Sequence, residues 1–189
     1  MREGDVQYTS AGTGITHSEW NYHKEKPAHI LQIWAKPDEE ETTPQYYTRH
    51  FKTEEKHNTL RPIIRPAADY SAGYKHKLQD PTSSEPIPIP TTLAMYACLL
   101  QPGQTVRHTF RNPKGYIHMA MSSHFKDPKE KSDANSGKLT LQDGTNEAQY
   151  ITEGDGAFVE IDQSAGKSTV LELTSSGDAP AHFLLFDMQ

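Results

Sequence analysis

The chain is short of several things, and each shortage excludes a class of protein. It carries one cysteine in 189 residues, Cys98, so no internal disulfide can form. That points to a reducing compartment, the cytoplasm or the nucleus, rather than to secretion. No apolar run approaches the roughly 18–20 residues of a membrane span, and no membrane partner is expected. The opening MREGDVQYTS lacks the apolar centre of a signal peptide. Basic residues are outnumbered, 19 Lys+Arg against 25 Asp+Glu, for a net charge of −6. No direct nucleic-acid binding through basic excess is expected. Phosphate-loop, dinucleotide-binding and serine-nucleophile signatures are missing. None of the ten histidines stands two residues from another, so the chain has no H-x-H.

What is present is short, apolar or alternating, and closely punctuated. Ile30–Trp34, Tyr96–Leu100, Thr105–Phe110, Tyr116–Met121, Lys138–Leu141, Ala157–Ile161, Thr169–Leu173 and His182–Phe186 read as strands. Between them stand Pro102-Gly103, Asn112-Pro113-Lys114-Gly115, Asp143-Gly144 and Gly154-Asp155-Gly156, all turn chemistry. The expected class is all-β, a sandwich or barrel. Hydrophobic residues make up only 34% and mean hydropathy is −0.79, yet the patterning is too regular for disorder. Asp80–Pro90, with four prolines, is expected to be an extended connection, since proline gives no N–H to a ladder. Ser122–Gly137 is polar and charged and reads as a long loop. Gly4–Tyr8 looks like a turn running into a strand.

The chemically loaded segment is Gly12-Thr13-Gly14-Ile15-Thr16-His17-Ser18-Glu19-Trp20-Asn21. On a strand, residues i and i+2 share a face, so His17 and Glu19 would project together while Ser18 points away. An imidazole nitrogen beside a carboxylate oxygen offers two donors to Fe, Mn, Ni, Cu or Zn. The glycines let the backbone turn tightly just before. A bare H-x-E is common on solvated strands, so the pair alone does not define a site.

The surrounding pattern is more specific. GDVQ…AGTGITHSE, followed by His29-Ile30-Leu31-Gln32-Ile33-Trp34, resembles the pirin family of bicupins, which includes bacterial quercetin 2,3-dioxygenase relatives. Leu100-Gln101-Pro102-Gly103, Glu153–Ala157 and the closing Phe183–Asp187 are similar to the second domain of that family. The resemblance implies cupin-type double-stranded β-helix barrels, the first incomplete and the second complete. It implies residues 1–55 as the later part of a first cupin, 56–95 as a connecting segment and 96–189 as the second cupin. It also implies one metal, usually iron or another divalent transition metal, held by an H-x-H pair and an H-S-E pair. Only the latter, His17 and Glu19, carries over, with Glu19 also the proton acceptor. The H-x-H would lie upstream of Met1, so the first domain is expected to be shortened.

The second module offers no substitute. Gly103–Phe110 keeps His108, but Phe110 stands where a second ligand would be, and Gly154–Ile161 has no histidine. Val106, His108 and Phe110 share one strand face, which marks His108 as an interior residue. His23 and His29 lie near the H-S-E segment, and Trp20 and Trp34 are candidates to line a barrel mouth. Cys98, inside the apolar MYACLL, reads as buried and inert.

By resemblance the function is a quercetin 2,3-dioxygenase-type oxidoreductase acting on a small aromatic, flavonol-like substrate, weak or inactive without the H-x-H. The alternative is a regulatory, protein-binding module or a remnant of a longer pirin. Missing first strands would leave edges and apolar residues (Ile15, Trp20, Leu31, Ile33) uncovered. Homodimerisation or aggregation through residues 1–50 is then expected, with residues from about 90 onward folding independently. The competing expectation is that Tyr46–Leu60 or Asp80–Pro90 folds back as a cover.

Overall fold

A computed structural model describes residues 1–25, 28–38, 41–70, 83–121, 137–144, 146–162 and 169–189. Its regular structure is almost all strand, with two short 3₁₀ turns at Thr53–Lys56 and Ala67–Asp69. Strand β1 (Asp5–Ser10) pairs antiparallel with β2 (Gln45–His50) as a two-stranded ribbon. A six-stranded sheet takes the order β10-β7-β12-β5-β3-β4. Its members are β3 (Arg61–Pro66), β4 (Ile87–Ile89), β5 (Ala94–Leu100), β7 (Lys114–Met119), β10 (Gly156–Glu160) and β12 (Ala181–Met188). A four-stranded sheet runs β6-β11-β8-β9. It is built from β6 (Thr105–Thr109), β8 (Lys138–Gln142), β9 (Gln149–Thr152) and β11 (Val170–Ser175).

Two cores follow from strand alternation. Cys98, Leu100, Ile117, Met119, Phe183 and Leu185 on one face of the six-stranded sheet meet Leu139, Leu141, Leu171 and Leu173 of the other sheet. The opposite face carries Met95 and Phe186, which join Phe51, Ile64, Ile87 and Ile89, with Val6 and Tyr8 of the ribbon packed alongside. The six-stranded sheet is therefore covered on one face by the second sheet. Along β12, β5, β3 and β4 the other face is covered by Phe51 and the amino-terminal ribbon, while Phe158 of β10 stays exposed on that face. Phe51, 1% exposed, is the plug of this second core.

The later strands lie where their periodicity and turns place them, within two residues at each end. Elsewhere the structure departs from expectation. Ile30–Trp34 is not a strand and stays exposed. Strands β2, β3, β4 and β9 were not legible. The stretch read as a connection supplies β3 and β4. Within Asp80–Pro90, residues 80–82 lie outside the described residues, while Ile87–Ile89 is a strand parallel to β3. Pro88 is tolerated there because β4 is the sheet edge, and only one side of its backbone faces a neighbour. Pro62 of β3 falls at a register shift against β5, where the ladder is already interrupted. The loop expected at Ser122–Gly137 lies outside the described residues except for Gly137.

Candidate functional site

The segment holding His17 and Glu19 leaves the ribbon at the end of β1. The Gly14 N–H donates to the Ala11 carbonyl at 2.8 Å, and the Thr13 N–H donates to the Thr42 carbonyl at 3.0 Å. Gly12 sits at φ +49°, and a Cβ there would lie 1.8 Å from the Thr42 carbonyl oxygen. No other residue fits this approach without moving the backbone. The turn therefore ties the start of the motif to the chain just before β2.

Beyond the turn the expected H-S-E strand is absent. Residues 14–25 have no strand, and both His17 and Glu19 are exposed. The physical reason is that an extended segment becomes a strand only when a neighbour takes its N–H and C=O groups. Among the described residues, no backbone-to-backbone bond joins 15–25 or 28–37 to another segment. Local side-chain bonds shape the segment instead. The Trp20 indole N–H donates to Ser18 Oγ at 3.2 Å, and the His23 N–H donates to Asn21 Oδ1 at 3.0 Å. Glu19 is reached by β1, whose Gln7 Nε2 donates to its Oε1 at 3.3 Å.

Trp20 and Trp34, 88% and 87% exposed, line no barrel mouth. His23 and His29 are exposed as well, and His76 and His124 lie outside the described residues. Among the described residues no three His, Cys, Asp or Glu side chains are grouped to hold a metal ion. A transition-metal site needs three or four preorganised donors, and the residues present do not fit one.

The ribbon carries one further ionic contact, His50 Nδ1 to Asp5 Oδ1 at 2.8 Å, across a paired position of β1 and β2. Burial acts upward on the Asp5 carboxyl, but bonds from His50 and the Arg2 N–H outweigh it and hold the group below its ordinary value.

In the second module, His108 is buried, as the strand alternation required. Its ring meets Phe110 edge-on at 4.7 Å and Tyr96 at 4.9 Å. Its Nε2 bonds Asp187 Oδ2 at 3.1 Å. Asp187, fully buried on β12, also accepts from the backbone N–H of Arg111 at 2.9 Å and of Asn112 at 3.0 Å. Burial acts upward on this carboxyl, and the bonds from His108, Arg111 and Asn112 together hold it below its ordinary value. The sequence reading passed over Asp187. Its signal was a lone carboxylate on the face shared by Phe183 and Leu185. Cys98 is buried, and burial pushes its thiol up to about 12, so no thiolate forms near neutral pH.

The geometry defines a protein of the cupin double-stranded β-helix class, built on two facing sheets with an amino-terminal ribbon behind one of them. Comparison with known proteins narrows the class. The family model described as Pirin matches residues 1–35, which contain Gly12–Asn21. Quercetin 2,3-dioxygenase of Escherichia coli K12 is 48% identical over 48 residues, 25% of this chain and 21% of the relative. A putative quercetin 2,3-dioxygenase of Pseudomonas aeruginosa is 25% identical over 158 residues, 84% of this chain and 62% of the relative. The crystal structure of YhhW from Escherichia coli superposes with a TM-score of 0.67 at 21% identity, covering 98% of this chain and 61% of that one. The chain is thus similar to pirins in sequence over its first 35 residues and to bacterial YhhW in fold. It spans less than two thirds of the length of each of these relatives. No helix among the described residues is long and apolar enough to cross a membrane.

Proposed function

We propose that this chain is a pirin-type cupin protein whose family chemistry is metal-dependent dioxygenation of a small aromatic, flavonol-like substrate. In this reading His17 and Glu19 are two of the metal ligands and Glu19 is the proton acceptor. The 189 residues as they stand bind metal weakly and turn over little. The carrying observation is that the Pirin match, residues 1–35, contains the H-S-E segment. The weakness follows from ligand count, because His17 and Glu19 are exposed and no third donor stands grouped with them among the described residues. Relatives bear the name quercetin 2,3-dioxygenase, and a pirin structure holds nickel(II), which supports a divalent transition metal. Iron is the finer choice that we make by resemblance. The same proposal takes residues 1–55 as first-cupin material, 56–95 as the join and 96–189 as the second cupin, in a cytoplasmic or nuclear protein.

Elemental analysis after loading with Fe(II) or Ni(II) and dialysis against a mild chelator tests this reading. Far less than one equivalent should remain. Near-stoichiometric metal lost on His17→Ala would show that other groups complete the site, and the weak-site reading would fall. A second reading, a protein-binding module without catalysis, is favoured by the exposed apolar residues around the motif. Quercetin consumption by the metal-loaded chain separates the two.

A further inference from the structure

Phe158, 81% exposed, stands at a free edge of the six-stranded sheet, because β10 has β7 on one side and no described strand on the other. The Met119 N–H donates to the Asp155 carbonyl at 3.0 Å, and the Ile161 N–H donates to the Pro113 carbonyl at 2.8 Å. The odd-numbered residues along β10 thus turn their backbone groups towards β7. In an antiparallel ladder the alternate residues turn theirs away. Gly156, Phe158 and Glu160 therefore present N–H and C=O groups to solvent, and such an edge is a template for another strand.

The other edges of the two large sheets are blunted. β4 carries Pro88, which has no N–H to give. β9 is four residues long, with the Lys138 ammonium 3.9 Å over its Tyr150 ring. β6, paired with itself about its centre, would set Arg107 against Arg107. The sequence points to residues 1–50 for contact between copies, yet there the chain folds back on itself. β2 pairs with β1, and Phe51 fills the second core. The exposed segment beyond β1 forms no strand to pair.

We infer that β10 is the contact between two copies of this chain, paired antiparallel about a two-fold axis at Phe158. A second copy is the occupant because the strand complements itself. With Phe158 opposite its counterpart, Gly156 falls opposite Glu160. Each pair exchanges two backbone hydrogen bonds, since all three residues face the edge. The side chains fit the same register. Phe158 lies against Tyr116 with ring centroids 4.9 Å apart, and Tyr116 against Phe186 at 5.9 Å, so two copies continue one aromatic row across the axis. At Gly156 the place of a side chain is taken by the Tyr116 hydroxyl, with which a Cβ would collide. That hydroxyl is a donor without a partner among the described residues. The second copy's Glu160, opposite Gly156, brings the carboxylate that accepts from it. The contact needs neither the H-S-E segment nor a metal, and so stands apart from the proposed function.

Sedimentation equilibrium of the 189-residue chain over a wide concentration range tests this contact, with amide exchange read residue by residue. The expected result is a monomer–dimer equilibrium. With rising concentration the Gly156, Phe158 and Glu160 amides should slow by roughly tenfold or more, as mass action fills the dimer. Ala157 and Val159, already paired with β7, should not change. Phe158→Asp sets two carboxylates on the axis and should weaken the dimer by roughly tenfold or more. Glu160→Lys removes the acceptor and should weaken it too. Both positions are exposed, so each variant should keep the wild-type circular-dichroism spectrum. Ile33→Asp, in the exposed amino-terminal segment, should leave the dimer intact. Any of four results would overturn the inference: a chain monomeric at every concentration, a dimer that survives Phe158→Asp, a dimer lost on Ile33→Asp, or slowing confined to other amides.

Discussion

Asp187 shows how much one buried carboxylate can organise. Its two oxygens take three bonds, from His108 and from the N–H groups of Arg111 and Asn112, and so tie β12 to the end of β6 and to the turn before β7. Each bond has an ionised acceptor, which makes it stronger than a neutral pair. Asp187→Asn keeps the shape but removes the charge, and should cost about 2–3 kcal/mol at neutral pH. The pH dependence has a definite sign. The folded carboxyl titrates below the unfolded value of roughly 3.9, so its contribution is present above that pH. It is lost as pH falls through the lower folded value. Urea titrations at several pH values should show the gap between wild type and Asp187→Asn constant from pH 5 to 7 and closing below about pH 4. A gap unchanged down to pH 2 would show that the charge contributes nothing. At this scale the sequence was partly readable. His108 announced its burial through Val106 and Phe110 on the same face. Asp187 did not, because the partner that makes a buried charge tolerable lies 79 positions away.

At the scale of the element, legibility depended on whether a strand carried its own turn signals. Strands β5 to β8 and β10 to β12 are bounded by Gly, Pro or Asp, and their positions could be read. Strand β2, QYYTRH, mixes polar and aromatic residues with only Arg49 buried, so no clean alternation betrays it. β3 and β4 contain prolines, which ordinarily argue against a strand. The opposite error, Ile30–Trp34, came from apolar alternation that no described strand answers. Pattern records a capacity to pair, while pairing needs a neighbour. One contact tests how tightly the well-read strands are fitted. Gly115 on β7 lies under the Phe110 ring, and a Cβ there would fall 2.3 Å from Phe110 Cε1. Phe110 is buried and has little room to yield. Gly115→Ala should therefore destabilise by about 1–3 kcal/mol, and a Phe110→Leu background should recover part of that. Equal losses in both backgrounds, measured by chemical denaturation, would mean the ring is not what excludes a side chain.

For the whole molecule, the amino-terminal ribbon and the second module share a core. The independence expected of residues beyond about 90 does not fit this arrangement. Met95 and Phe186 lie against Phe51, Ile64, Ile87 and Ile89, with Val6 and Tyr8 alongside. A chain beginning at Lys52 uncovers that face of the six-stranded sheet. One beginning at Pro90 removes β3 and β4 as well. Buried apolar surface of this kind stabilises by roughly 25 cal/mol per Å², so both truncations should melt lower and bind a hydrophobic dye. The loss should be larger for the chain beginning at Pro90. A chain from Pro90 that melts like the full protein would restore the independent-domain picture. The candidate site was legible as a motif, Gly12–Asn21. Its exposure was not, because that depends on which strands lie beside it.

Covering β12 on both sides has a consequence for how this strand finds its alignment. A strand with one wet face is aligned by polarity, since a slip of one residue turns its apolar set towards water. β12 has no wet face to consult. Phe183 and Leu185 face one core, while Leu184 and Phe186 serve the other, so a slipped strand would still present oil to both sides. What differs after a slip is Asp187, which would leave its three donors and carry a bare charge into the second core. The carboxylate thus acts as an address written into an otherwise ambiguous strand, a use of buried polarity known from helical assemblies. Asp187→Leu, which keeps the strand apolar throughout, should retain a β-rich circular-dichroism spectrum but give a doubled or broadened set of amide resonances for β12 and its neighbours. A single sharp set would place the address elsewhere, in the β5 and β7 pairings on either side.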